Sequence, residues 1–366
     1  MKIQKIKSLI YLFLAIIMSA CGSSGGVGGL VTLKPEVTNK FLRLSELGDD
    51  LEVLEVKTSY PIGAQPQIVL SDRFIYLMDA TVSMMLYQLD HKGQVLRQYE
   101  LGFDDDLNIR GINHLLVKGD SLGIVSMSDR ITWFNDLLQP IGKESLAVKS
   151  MYHYPYGEDY LSMITLPDDT LSYDFVAAHS SGIYHQGMPL NLKAYRFIYE
   201  ARTSITAWQD QVLVSKIFDD TLYRFNKTEG LKRMALVDFG SRAIPQEEFR
   251  QIEDALGMRH ILSEPDYAYL QGEIHAIRPT QVLLSLRISG QRDWGLWNPE
   301  KNRLVTYRSL KDDLKTGIDL HEISSSKDGQ LVFGMDGETF ASKALSAYTR
   351  QLEKGFEENY FILWLK

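Results

Sequence analysis

A turn-forming unit recurs along this chain at a nearly constant step, and it limits the available folds more than any other feature. In each copy an apolar strand carrying an aromatic runs into a turn, and a second strand often leads away. The copies are Tyr87-Gln-Leu-Asp90-His-Lys-Gly93, Trp133-Phe-Asn135, Phe175-Val-Ala-Ala-His179-Ser-Ser-Gly182, Tyr223-Arg-Phe-Asn226-Lys-Thr-Glu-Gly230 and Leu296-Trp-Asn298-Pro-Glu-Lys-Asn302. The turn residues Asp90, Asn135, His179, Asn226 and Asn298 stand 45, 44, 47 and 72 apart. Three of these steps match a four-stranded propeller blade of about 40–50 residues. The long step contains the clearest helical pattern in the chain, Ile244 to Met258, with Pro245 and two acids in its first turn and a stripe of Phe249, Ile252 and Leu256.

The segments between the turns read as short strands rich in β-branched and aromatic residues and bounded by Asp, Asn, Gly or Pro. Counting them predicts an all-β, six-bladed β-propeller. The helical insertion falls between blades four and five, and a second helical stretch lies near Phe340 to Gly355. Leu51 to Lys57 and Tyr360 to Leu365 each read as lone strands near the two chain ends. They are expected to close the ring by pairing in one blade, which leaves no open sheet edge there.

The N-terminus carries a different kind of signal. Lys2, Lys5 and Lys7 precede an apolar run from Ser8 to Met18 that is too short for a stable membrane span. Met18-Ser-Ala-Cys21 follows, and Cys21 is the only cysteine of the 366 residues. This resembles the lipobox of bacterial lipoproteins, in which the cysteine is acylated and the signal is cut just before it. Two or more acyl chains anchor durably where one is marginal. The expected layout is a signal over 1–21 ending at lipidated Cys21, a flexible Gly/Ser-rich tether over 22–40, and a single propeller over 41–366. With one cysteine there is no disulfide framework, so the domain must be held by core burial. The formal charge of −8 becomes about −11 once the three signal lysines are lost, which argues against nucleic acid as a partner.

Four further stretches carry a family resemblance: Leu44 to Thr58; Asp219 to Phe225 with Val237 to Gly240 and Ile244-Pro245; Leu310 to Leu314 with Gly317; and Glu358 to Lys366. In this order, together with the lipobox, they resemble the six-bladed β-propeller lipoproteins of Bacteroidota. The resemblance implies a fold and an envelope location, but no reaction. Many members have a Gly-Pro-Gly-Glu-Tyr-like loop after the first blade, where this chain has Leu101-Gly-Phe-Asp-Asp-Asp-Leu-Asn108. Gly and Ser follow Cys21 with no acidic run, which favours the periplasmic face of the outer membrane over the cell surface.

Candidate sites are few. Met151 to Tyr160 packs four tyrosines and a histidine into ten residues, so Tyr152, His153, Tyr154 and Tyr156 are the expected ligand-binding group, the alternative being an ordinary strand and turn. Asp104, Asp105, Asp106 and Asn108 read as a solvated loop, since they lack the glycine and closing glutamate of a calcium loop. Eight scattered histidines form no metal motif. No metal, cofactor or catalytic residue is assigned, and Asp168-Asp169, Asp219-Asp220 and Asp312-Asp313 read as hairpin or loop residues whose carboxylates cap backbone N–H groups. Trp294 and Trp297 read as core and inter-blade packing, the alternative being that one is exposed, since three apart on a strand they point to opposite faces. The function expected is a non-catalytic module binding a protein, peptide or glycan on the propeller's loop face. The alternative is a hydrolase or lyase acting on glycans or peptides with channel-facing His and Asp/Glu. A compact His/Asp/Arg cluster with a metal-sized gap at the channel mouth would favour the enzyme.

Overall fold

The recurring unit is the hairpin between the third and fourth strands of a blade, and its polar residue folds the turn. Asp90 Oδ1 accepts from the backbone N–H of Lys92 and Gln94 at 2.8 and 2.9 Å. Asn135 does the same for Leu137 and Gln139, and Asn226 for Thr228 and Glu229. Asn298 accepts from Lys301 at 2.9 Å. A short side-chain acceptor stands in for a backbone turn bond, which explains why the repeat is written in Asp and Asn.

The computed structural model describes residues 30–101, 112–126, 130–150, 152–164, 173–189, 203–245, 247–248, 252, 255–352 and 355–366. Cys21, the Asp104–Asn108 run and Asp168-Asp169 lie outside them. The chain is an all-β propeller built of seven sheets, and this corrects the expected count of six. Six sheets hold a four-stranded antiparallel meander. Blade one is Gln67–Leu70, Ile75–Asp79, Met85–Leu89 and Val95–Glu100; blade two starts at Ile112–Lys118, blade three at Tyr152–Tyr156, blade four at Ile205–Trp208 and blade five at Tyr269–Arg278. The sheet missing from the count is blade six, which has three very short strands, Leu42–Arg43, Leu310–Lys311 and Asp319–Leu320. Two residues cannot display a period of two, so nothing in the sequence pattern marked them.

Blade seven closes the ring as expected. Its strands are Ser325–Lys327, Gln330–Asp336, Tyr360–Leu365 and, from the other end of the chain, Leu51–Val56. The last two pair antiparallel from Leu51↔Leu365 to Val56↔Tyr360. The supposed tether is structured in its second half. Val31–Leu33 lies parallel to the outer strand of blade four and Pro35–Val37 parallel to that of blade five; Leu42–Arg43 then joins blade six. The chain from Val31 to Val56 is therefore a belt along the outer edges of four successive sheets. Leu33 of the belt is fully buried, and Arg303 holds Glu36 through a forked pair at 2.6 to 3.1 Å.

The helical insertion does lie between blades four and five: Glu247 and Glu248 within the expected Ile244–Met258 are helical, and the helix α1, Ala255–Ser263, overlaps its end and runs five residues further. Ile252, Met258 and Ile261 bury together against Ile244 and Phe218. The second helical stretch is α2, Gly337–Lys343, and α3, Ser346–Thr349, inside blade seven. Both Trp294 and Trp297 are buried at 1% exposure, as expected of core and inter-blade packing. They do point to opposite faces, into separate core clusters. A blade has a neighbour on each side, so both faces are covered.

The two ends of the ring differ. From Leu51 onward, the turns at the end where the innermost strands finish have two to five residues, apart from the seven of 312–318 in blade six. The other connections longer than five residues, including both helical insertions, join strands at the end where the innermost strands begin. The turn Asp328-Gly329 shows how tight the first end is. Gly329 sits at φ 84°, and a β-carbon there would strike the carbonyl oxygen of Ile277 in blade five. Gly329→Ala is expected to cost about 2–4 kcal/mol by combining left-handed strain with overpacking, read as a lower urea midpoint at unchanged slope.

Candidate functional site

The innermost strands leave a central channel with a cavity of about 360 Å³. Of the four residues expected to bind, Tyr152, His153 and Tyr154 line this cavity, and Tyr156 does not. All four lie on the innermost strand of blade three, where alternation sends Tyr152, Tyr154 and Tyr156 toward blade four and His153 toward blade two. Tyr156 packs edge-on against Phe225 at 5.6 Å, inside the core between blades three and four.

His153 is part of an inter-blade joint. Its backbone N–H donates to His114 Nε2 at 3.1 Å, and its Nδ1 meets Ser162 Oγ at 2.7 Å. The two imidazoles stack at 5.7 Å. Burial first, and His114 second, push the His153 imidazole down to about 3, so it stays neutral through the physiological range. A ring that is buried, neutral and bonded in this way serves packing.

A second cavity of about 340 Å³ opens at the end carrying the long connections. Its wall includes Gln65, Thr203, Glu273, Arg292, Glu322 and Ser324, and Thr203 and Ser324 also line the deeper cavity. A polar chain is built into this wall. Ser326 Oγ, on the innermost strand of blade seven, meets His275 Nδ1 at 2.7 Å, and His275 Nε2 meets Glu273 Oε1 at 2.9 Å. The other oxygen of Glu273 accepts from Arg292 Nη2, and the Arg292 guanidinium lies 5.0 Å over the ring of Trp294. Glu273 and His275 are two apart on one strand and so share a face. His275 is fully buried and ties blade five to blade seven.

Sequence reasoning missed this cluster. The Glu-x-His spacing is visible, but Ser326 comes from another blade and Arg292 from another strand. The cluster holds one histidine, one glutamate and one arginine with both glutamate oxygens occupied. Among the described residues no group of three or more His, Cys, Asp or Glu could hold a metal.

The paired aspartates behave as loop fasteners. Asp312 is fully buried and accepts from the backbone of Leu314, Lys315 and Thr316; Asp313 holds Ser45 of the belt. Asp220 is different. Burial, then Asp219 and Asp238, push its carboxyl up to about 7. The folded state therefore binds the proton more tightly than the unfolded chain. This group's effect on stability is most favourable below the ordinary value of 3.8, and it declines as pH rises toward about 7. Asp220→Asn should be more stable than the parent at pH 8, with a smaller difference at pH 5, in urea unfolding at both pH values.

No family model matches the chain, and no curated protein does. Among solved structures it is similar to a protein named "Putative exported protein (BF0058)" from Bacteroides fragilis, at 14% identity and a TM-score of 0.67, covering 92% of this chain and 99% of that one. It is also similar to a member of the DUF4221 family from Bacteroides vulgatus, at 7% identity and a TM-score of 0.53, covering 87% and 97%. At these identities the likeness carries the fold alone: this chain is an all-β propeller of a shape also found in Bacteroides proteins.

Proposed function

We propose that this chain is a lipid-anchored, non-catalytic binding propeller of the bacterial envelope, and that its ligand, a protein, peptide or glycan, sits at the mouth where the long connections gather. The observation that carries this reading is the asymmetry of the ring. One end is trimmed to turns of two to five residues apart from 312–318, while the other longer connections join strands at the opposite end, where a polar cavity opens. Loops on a rigid scaffold are where binding surfaces are built.

The anchor rests on Cys21 and the basic and apolar run before it, and the Bacteroides fragilis neighbour's name as an exported protein agrees with an envelope location. No described helix is long and apolar enough to cross a membrane. The periplasmic face of the outer membrane is the favoured site, and rapid loss of the protein on protease shaving of intact cells would place it on the surface instead.

The binding reading is tested by deuterium uptake with defined panels of oligosaccharides and extended peptides. Protection at Thr58–Pro66 and around Glu322–Ser324 supports it; protection at the tight turns, or nowhere, contradicts it. One observation favours the hydrolase alternative, namely the order Ser326–His275–Glu273, which is that of a nucleophile, base and acid. Labelling of Ser326 by a fluorophosphonate, absent in His275→Ala, would support that reading.

A further inference from the structure

We infer that the mouth cavity binds a neutral, hydroxyl-rich ligand, a saccharide segment of one or two residues, which deepens the binding reading above and rests on it. Arg292, the one cation among the residues of the wall, is already matched within it. Glu273 gives one oxygen to Arg292 and the other to His275, so the most buried carboxylate of the mouth has no ionic demand left for a ligand to meet. An anionic ligand would have to compete with Glu273 for Arg292 and would meet Glu322 as a like charge. A neutral one would not.

The groups that remain are of mixed sense. Ser324 Oγ accepts the backbone N–H of Gly334 at 2.9 Å and keeps its own O–H to donate. Arg292 Nη1 stands 3.9 Å from Glu322, beyond hydrogen-bond reach, and retains donor capacity; Glu322, largely exposed, retains acceptor capacity. Gln65 is exposed and offers both through its amide. Sugar hydroxyls are themselves both donors and acceptors, so a row of them fits such a set without leaving any group unpaired. The planar ends of Arg, Glu and Gln can each bridge two neighbouring hydroxyls.

Apolar anchoring is weak by comparison. The apolar wall residues are small or buried, chiefly Ala64, Pro66 and Ile323, and they form no socket for the aromatic or aliphatic anchor of a protein partner. The flat faces available are those of Tyr152 and Tyr154 in the deeper cavity, which adjoins the mouth at Thr203 and Ser324. A pyranose C–H face packs on such rings. A volume of about 340 Å³ is at the low end for ligand sites, which suits a short saccharide.

The experiment is a screen of the mature chain against an array of neutral and acidic oligosaccharides and a panel of extended peptides, followed by titration calorimetry of hits. It is repeated with the double variant Gln65→Ala/Glu322→Ala. Both residues are exposed, so the variant should keep the parent's melting temperature. The expected result is a neutral saccharide hit whose affinity falls at least ten-fold in the variant. A saccharide that binds parent and variant equally well overturns the site. Peptides, but no saccharide, that protect the mouth from deuterium exchange overturn the ligand class and leave the binding reading standing. If no probe touches the mouth, both fail.

Discussion

Removing Tyr360 to Lys366 is expected to leave a chain with no cooperative unfolding transition. All six side chains of the strand Tyr360–Leu365 are buried. Phe361 stacks on Phe340 at 4.1 Å and meets Phe356 edge-on at 6.1 Å, and Trp364 donates its indole N–H to Gln330 at 3.0 Å. The strand lies between Gln330–Asp336 and Leu51–Val56, so its loss strips both neighbours of a hydrogen-bonded partner. Truncating a single buried Phe costs about 3–5 kcal/mol, and a whole domain is stable by only about 5–15 kcal/mol. Six such residues exceed that margin, whereas Phe361→Ala alone should fold with its stability reduced by about 3–5 kcal/mol. Urea unfolding followed by circular dichroism separates the two. A sigmoidal transition in the truncated chain at the parent's midpoint would show that the closing strand is dispensable.

Asp174→Ala is expected to destabilise the propeller by about 3–5 kcal/mol, whereas Asp174→Leu combined with Lys216→Met should come close to the parent. Asp174 on blade three and Lys216 on blade four form an ion pair whose side chains are 2% and 5% exposed. Burial pushes the Asp174 carboxyl up, and Lys216 opposes the shift. Removing one partner strands the other charge in the interior. Replacing both with apolar groups removes the desolvation cost along with the attraction. A double variant as unstable as the single one would mean that the pair adds net stability. The comparison is made by urea unfolding of the three proteins.

The parts of this fold that were legible in the sequence are those whose local chemistry is self-sufficient. Asp90, Asn135, Asn226 and Asn298 announce turns because their side chains make the turn's hydrogen bonds. Leu51–Val56 and Tyr360–Leu365 are long enough to read as strands, and their pairing followed from the need to close the ring. What escaped depends on neighbours that are remote in sequence. Leu42–Arg43, Leu310–Lys311 and Asp319–Leu320 become strands only because they lie beside one another, and the belt strands Val31–Leu33 and Pro35–Val37 only because they lie on blades four and five. The helix Ala255–Ser263 runs five residues past the expected end at Met258, and its Met258 and Ile261 bury against Ile217, Phe218 and Tyr267, which are not on the helix.

The candidate site divides in the same way. Three members of the tyrosine-rich stretch, Tyr152, His153 and Tyr154, line the channel, whereas Tyr156 packs into the core between blades three and four. The Ser326–His275–Glu273–Arg292 chain draws on two blades and three strands, so no linear motif could show it.

The closed ring underlies the core, the belt and the mouth alike, and it is tested most directly by methyl–methyl NOEs in methyl-labelled protein. Leu54 and Ile362 are register partners in blade seven and share one core cluster. A strong cross-peak between their methyl groups is predicted. Its absence, with each residue instead showing contacts only to its own end of the chain, would contradict the architecture.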